Sequence, residues 1–135
     1  MPETIAERYL TCIAGRWRIA VPVRFVRGIE ADPRVVPVSF APSRVRGVYS
    51  LRGDLVAAVR VADLLDFDEP VLALPIGQYA VNVTAGDLAA GFLVDEVGEV
   101  IEAACPATQA GDPVEVAGYT VLNVESLLAQ LLANH

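Results

Sequence analysis

The chain has 135 residues, a net charge of −7 and 54% apolar side chains, which fits one domain with a core of its own. It has no lysine, two cysteines and one histidine at the last position. That excludes a phosphate loop of the Gly-Lys-Ser/Thr type and a triad with a histidine base, and it leaves an ordinary zinc site short of ligands. The predicted elements begin with two alternating runs, Arg8 to Ala14 and Trp17 to Val21, on either side of Gly15-Arg16, which read as a β-hairpin. Pro22 is placed to open one helical turn through Phe25 and Val26. Val35 to Val38 is a short strand candidate, an edge strand because of Pro37. Val45 to Leu51 and Leu55 to Val61 read as strands around an Arg52-Gly53-Asp54 turn. Val71 to Ile76, Tyr79 to Thr84, Leu88 to Val94 and Val97 to Ala103 follow as strands at short spacing. Val124, Leu127, Leu128, Leu131 and Leu132 then form the apolar stripe of a closing amphipathic helix, with Asn123 as its N-cap and Glu125 in its first turn.

Many short strands with regular turn signals predict an all-β barrel or sandwich. A weak repeat refines this. Leu55 to Leu65 and Gly118 to Leu128 each run from an apolar strand through one polar residue into V-x-x-L-L. One unit used twice implies two small β-subdomains within a single domain, 1–135, with approximate halves 1–69 and 70–135. In each unit the leucines of the helical turn are expected to plug a small barrel.

Charge is distributed unevenly. All ten basic residues are arginines at or before Arg60, against five acids in the same stretch, whereas residues 61–135 hold twelve acids and no base. Such a split suits polyanion binding, docking through complementary faces, or simple neutralisation in three dimensions. Arg16, Arg18, Arg24 and Arg27 lie near Tyr9, Trp17 and Phe25, which keeps a single-stranded nucleic-acid-binding barrel as an alternative. The acidic whole, with a pI near 4.5, opposes it. The acidic groups Asp63, Asp66, Asp68 and Glu69, and Asp95, Glu96, Glu99 and Glu102, lack EF-hand spacing. They read as a solvated loop and as the outer face of a hairpin turned at Gly98. No metal or cofactor site is expected. No apolar run reaches the ~20 residues of a spanning helix. The opening MPETIAERYL has no basic segment before an apolar core, so the chain reads as cytoplasmic. Cys12 and Cys105 are then expected as free thiols.

Four segments in order give the chain a likeness. Tyr9-Leu10-Thr11-Cys12 leads to Trp17-Arg18-Ile19-Ala20-Val21-Pro22, with Val26 and Ile29 beyond. Pro42 precedes Gly47-Val48, then Leu51-Arg52-Gly53 and Leu64-Leu65. Ala90 to Ile101 and Val121 to Leu128 complete the set. Together they resemble the CheW-like domain, the scaffold that couples chemoreceptors to the histidine kinase CheA. The resemblance implies two intertwined five-stranded β-barrels with a C-terminal helix and a non-catalytic adaptor. It also implies two protein partners, the regulatory domain of a CheA-type kinase and the cytoplasmic tip of a receptor. By the same resemblance, partner-binding residues are expected at Leu51, Arg52 and Gly53 and in a turn at Val26, Arg27, Gly28 and Ile29. Arg52 either reaches a partner or bonds the carbonyls of its own barrel. Self-association with like domains is a further expectation, and a small-ligand cleft remains a third class.

Departures from the family pattern are visible. Ser50 stands for Asn, Ala57 for Pro, Arg60 for Asp and Gly28 for a frequent Glu. Arg60 cannot cap the helix that follows, so the helix at Ala62 to Leu65 is expected to be short or distorted. The stretch Ala103 to Ala117 is shorter than its family counterpart, which predicts a missing or abbreviated strand.

Overall fold

Alternating apolar side chains and two-residue turns set most of the elements. The computed structural model describes residues 6–37, 45–65, 79–104 and 114–132. The expected strand at Val71–Ile76, most of the first acidic group, Cys105 and His135 lie outside them. Strands β1 (Ala6–Ala14) and β2 (Trp17–Pro22) form the first hairpin, and a 3-10 turn at Val23–Phe25 leads into β3 (Val26–Ala31). Strands β4 (Val45–Leu51) and β5 (Asp54–Arg60) run into helix α1 (Val61–Leu65). Then come β6 (Tyr79–Ala85), β7 (Leu88–Val94), β8 (Glu96–Ala104), β9 (Val114–Val116), β10 (Tyr119–Val121) and helix α2 (Val124–Leu132).

The strands form two five-stranded sheets. A terminal sheet, built from both ends of the chain, has the order β8-β1-β2-β10-β9, and a central sheet has the order β3-β6-β7-β5-β4. The two orders are the same motif. Each has a two-residue hairpin, β1-β2 or β6-β7. An antiparallel strand, β8 or β3, flanks the hairpin's first strand, and a parallel strand, β10 or β5, flanks its second. The parallel strand starts in a second hairpin, β9-β10 or β4-β5. Each half of the chain contributes a hairpin to one sheet and a single strand and second hairpin to the other. The weak sequence repeat is therefore the tail of a structural one. Among the described residues no ladder joins the two edge strands of either sheet, so the expected barrels are present as open five-stranded sheets.

Both sheets are apolar on both faces, which gives three layers of core. The middle layer joins the sheets: Leu10, Cys12, Ile19 and Val21 meet Val81, Val83, Phe92 and Val94. Val61 of α1 and Val124 and Leu128 of α2 enter this same layer. The helices thus seal the seam between the sheets rather than plugging a barrel. The outer face of the terminal sheet gathers Tyr9, Ala20 and Val116, and that of the central sheet gathers Tyr49, Val56, Ala58, Ala80 and Leu93. Burial pushes the Cys12 thiol up to about 12, so it stays protonated and inert.

Several local expectations change or sharpen. Of the expected strand Val35 to Val38, residue 38 lies outside the described residues, and residues 35–37 hold one bridge, Val36 N–H to the Val48 carbonyl at 2.8 Å and its reciprocal at 2.9 Å. Gly47 allows this approach, because a Cβ there would overlap the Val36 carbonyl. Helix α1 is short, five residues, behind the non-capping Arg60. Asn123 caps α2 as expected, accepting the Ser126 N–H at 3.1 Å. Among the described residues of the shortened stretch and beyond it, β9 and β10 are three residues each, which matches the expected abbreviation.

The second acidic group is not a hairpin face. Gly98 lies inside β8, which pairs with β1 and not with β7. Asp95 is the residue at which the chain crosses between sheets. Its carboxylate accepts the Gly15 N–H at 2.6 Å and its own N–H donates to the Ile13 carbonyl at 2.8 Å, so it latches the first turn to the crossover. Asp95→Ala is expected to cost about 1.5 kcal/mol, the lower end for a charge-assisted bond, since the group is partly solvated. Thermal unfolding checks this, and an unchanged melting temperature would remove the latch from the stability of the fold.

Candidate functional site

The turn between β4 and β5 is a two-residue hairpin with Arg52 at φ 52° and Gly53 at φ 90°. Positive φ at both central residues suits the right-handed twist of the flanking strands. Gly53 takes this conformation freely, whereas Arg52 bears a steric cost of about 1 kcal/mol. The corresponding turn in the terminal sheet repeats the geometry with Ala117 at φ 52° and Gly118 at φ 85°. Arg52 is exposed, and its side chain has no hydrogen-bond or ion-pair partner among the described residues.

The hairpin also projects. In the terminal sheet the last pair before the turn is Val116–Tyr119. Counting from the parallel pairs Val121–Ala20 and Ala58–Gly91, its counterpart is Tyr49–Val56, after which Ser50–Leu55 and Leu51–Asp54 still follow. Two extra pairs add about 7 Å of arm. Strand β5 pairs with β7 only from Ala58 to Arg60, so the tip stands clear of its neighbour. Leu51 is half-buried and packs on the Tyr49 and Val56 cluster, which anchors the arm. Leu55, 75% exposed, is an apolar member of the tip that the sequence reading missed. Its signal was the alternation of β5, in which Val56 and Ala58 face inward.

The arm is rooted in a buried polar contact. Tyr49 reaches across Gly91 and donates its hydroxyl to Asn82 Oδ1. The Tyr49 phenol is pushed up to about 12, first by burial and then by the Glu30 carboxylate. The sequence offered no sign of this pair.

The second expected group is not a turn. Val26, Arg27, Gly28 and Ile29 lie in β3, an edge strand of the central sheet. The bulge between Val26 and Gly28 sets Arg27 outward, where its Nε donates to Thr84 Oγ1 at 2.8 Å. Val26 packs against the middle core, Gly28 faces Asn82, and Ile29 is 45% exposed. Strands β3 and β5 run in the same direction, so Val26 and the Arg52 tip sit at one end of the sheet, on its opposite edges.

The fold supplies a counterpart to β3 that the sequence did not reveal. Strand β8 occupies the same place in the terminal sheet and carries the same kind of bulge. Val97 pairs with Cys12 as Val26 pairs with Val83, and Val100 pairs with Leu10 as Ile29 pairs with Val81. Val100 is 47% exposed, matching Ile29. The charges differ: β3 carries Arg27 and Glu30, with Arg24 in the turn before it paired to Glu7 at 3.2 Å, whereas β8 carries Glu96, Glu99 and Glu102.

Of the rings expected of a nucleic-acid barrel, Tyr9 is buried, and Trp17 and Phe25, together with Tyr119, are engaged by arginines of the chain itself. Arg16 lies 5.5 Å from the Trp17 ring, Arg18 lies 4.6 Å from Tyr119 and Arg24 lies 4.7 Å from Phe25. A base needs a bare aromatic face on which to stack, and these three rings already carry a guanidinium. Among the described residues no cluster of His, Cys, Asp or Glu could hold a metal ion, and no helix is long and apolar enough to cross a membrane.

Comparison with known proteins is consistent with this architecture. The family model described as CheW-like domain matches residues 8–131. The chain is similar in structure to the scaffolding protein TtCheW from Thermoanaerobacter tengcongensis, with a TM-score of 0.66, 15% sequence identity and coverage of 87% of each chain. No curated protein sequence matches significantly.

Proposed function

The chain belongs to the CheW-like domain family of non-catalytic scaffolds in chemotaxis signal transduction, and from that premise we propose that it couples chemoreceptors to a CheA-type histidine kinase in the cytoplasm. The observation that carries this reading is Arg52, an exposed guanidinium without a hydrogen-bond or ion-pair partner among the described residues, held on an anchored, projecting hairpin. A planar guanidinium in a fixed position makes directional, bidentate contacts, and an exposed Leu55 beside it adds apolar area. The receptor tip and the kinase regulatory domain are the partners proposed for this arm and for the β3 edge with Val26, Arg27, Gly28 and Ile29.

Self-association is part of the same proposal. The β3 and β8 edges are structural counterparts with a matching exposed aliphatic residue, and Arg27 on β3 complements the acidic β8 edge, so the β3 edge of one copy is proposed to meet the β8 edge of the next. Contact of two different surfaces is heterologous and builds rings or open filaments.

The test is a pull-down from the native cytoplasm with wild type and Arg52→Glu side by side, read by mass spectrometry. Wild type is expected to bring down a CheA-type kinase or a receptor, and the variant to lose it with an unchanged far-UV spectrum. Recovery of neither by wild type would overturn the coupling role.

A further inference from the structure

We propose that the open end of the terminal sheet, remote from Arg52 along the chain and on the other sheet, binds a small zwitterion with an apolar side chain, an α-amino acid of leucine or phenylalanine size. A cavity of about 260 Å3 opens there between Thr11 and Ile13 of β1, Glu96 to Gly98 of β8, and Tyr119 of β10.

The internal repeat explains why the cavity exists. In the central sheet the matching space is taken by Tyr49, whose ring covers Gly91 and reaches Asn82. The counterparts of Tyr49 and Gly91 in the terminal sheet are Val116 and Ala20, and the tyrosine of that layer, Tyr9, is set at the other end, opposite Pro22 and Ile101. The bulge at Gly98 adds room, since Gly98 brings no side chain and faces Thr11. The volume lies below the range of drug-sized pockets and suits a molecule of amino-acid size.

The rim supplies the head-group chemistry. Glu96 and Arg18 both pair with Ile13, from the strands on its two sides. Directly paired residues share a face of the sheet, so one carboxylate and one guanidinium flank the cavity wall. Both are exposed. Among the described residues they do not pair with each other: Arg18 is stacked on Tyr119 at 4.6 Å, which orients it. The spaced opposite charges suit a ligand carboxylate at Arg18 and a ligand ammonium at Glu96, with the apolar side chain against Ile13 and Tyr119. Two like charges would have pointed to a simple acid or amine.

The test is a titration of the full chain, followed by amide chemical shifts and calorimetry, with L-leucine, L-phenylalanine, isovalerate and isoamylamine. Leucine or phenylalanine is expected to move the amides of residues 11–13, 96–98 and 119. Isovalerate and isoamylamine, each lacking one charge, are expected to bind about tenfold more weakly, the loss of one charge-assisted hydrogen bond. Ile13→Trp, which fills the cavity, is expected to abolish binding. Arg18→Gln is expected to weaken leucine about tenfold and leave isoamylamine unchanged, and it decides the matter should Ile13→Trp not fold. No shift at those amides with about 10 mM amino acid, far above a weak millimolar site, overturns the proposal. Equal binding of isovalerate or isoamylamine, undiminished leucine binding in Arg18→Gln, or binding that survives Ile13→Trp, overturns it as well.

Discussion

Arg52→Asn is expected to raise the melting temperature while weakening partner binding about thirtyfold or more, the loss typical of a central interface arginine. The two effects have separate causes. Arg52 sits at φ 52°, where asparagine is far better tolerated because its short polar side chain bonds locally. Relief of that strain is worth about 0.5–1 kcal/mol, which for a domain of this size moves the melting temperature up by about 2–5 °C. The side chain itself gives nothing back to the fold among the described residues, so its removal has no structural cost there. Binding to a kinase regulatory domain and to a receptor-tip fragment would be measured by calorimetry alongside thermal melts. A variant that melts lower and still binds would assign Arg52 to the architecture and remove it from the interface.

The largest stability effect is expected at Gly91. A Cβ there would run into the Tyr49 ring, and the ring is confined by burial and by its bond to Asn82. Gly91→Ala must displace either the ring or the middle of β7, which is paired on both sides, so a loss of about 3 kcal/mol is expected, the upper range for overpacking. The terminal sheet names the remedy. Its counterparts, Val116 and Ala20, lie together in one buried cluster. Tyr49→Val combined with Gly91→Ala should therefore be clearly more stable than Gly91→Ala alone, a positive coupling in a double-mutant cycle. Additive losses in denaturant unfolding would show that the two sheets are not packed by the same rule.

Much of this was legible in the chain. The hairpin at Gly15-Arg16, the strands around Arg52-Gly53 and the capped final helix follow from alternation, turn residues and the Asn123 cap, all of which act within a few residues. What was not legible depends on which sheet a strand joins. Gly98 looked like a turn because a glycine between acids usually is one, yet it sits in β8 where the chain has already crossed over at Asp95. Gly28 was placed in a turn by the family resemblance and lies at the bulge of an edge strand. The repeat was visible only at its strand-to-helix end, where Val61 and Val124 fill equivalent places in the shared core. Elsewhere it is hidden because counterparts differ in size, as Tyr49 and Val116 do, or in charge, as the mixed β3 edge and the acidic β8 edge do. Val100 was missed because exposure of an apolar strand residue at a sheet edge is not written in the local pattern, whereas the alternation of β5 already placed Leu55 outward.

The crossing of β3 and β8 between sheets has a consequence for synthesis. All five strands of the central sheet lie between Val26 and Val94, so that sheet can be completed while the chain is still growing. The first hairpin emerges earlier but must wait for Glu96–Ala104 and then Tyr119–Val121 before its own sheet is whole. Until then the inner face bearing Val81, Val83 and Phe92 lacks most of its cover, and pairing over such sequence distances is slow. The earliest residues made are among the last to find their place, and the nascent protein passes through a half-built stage with an apolar sheet face open to capture by chaperones or by other nascent copies.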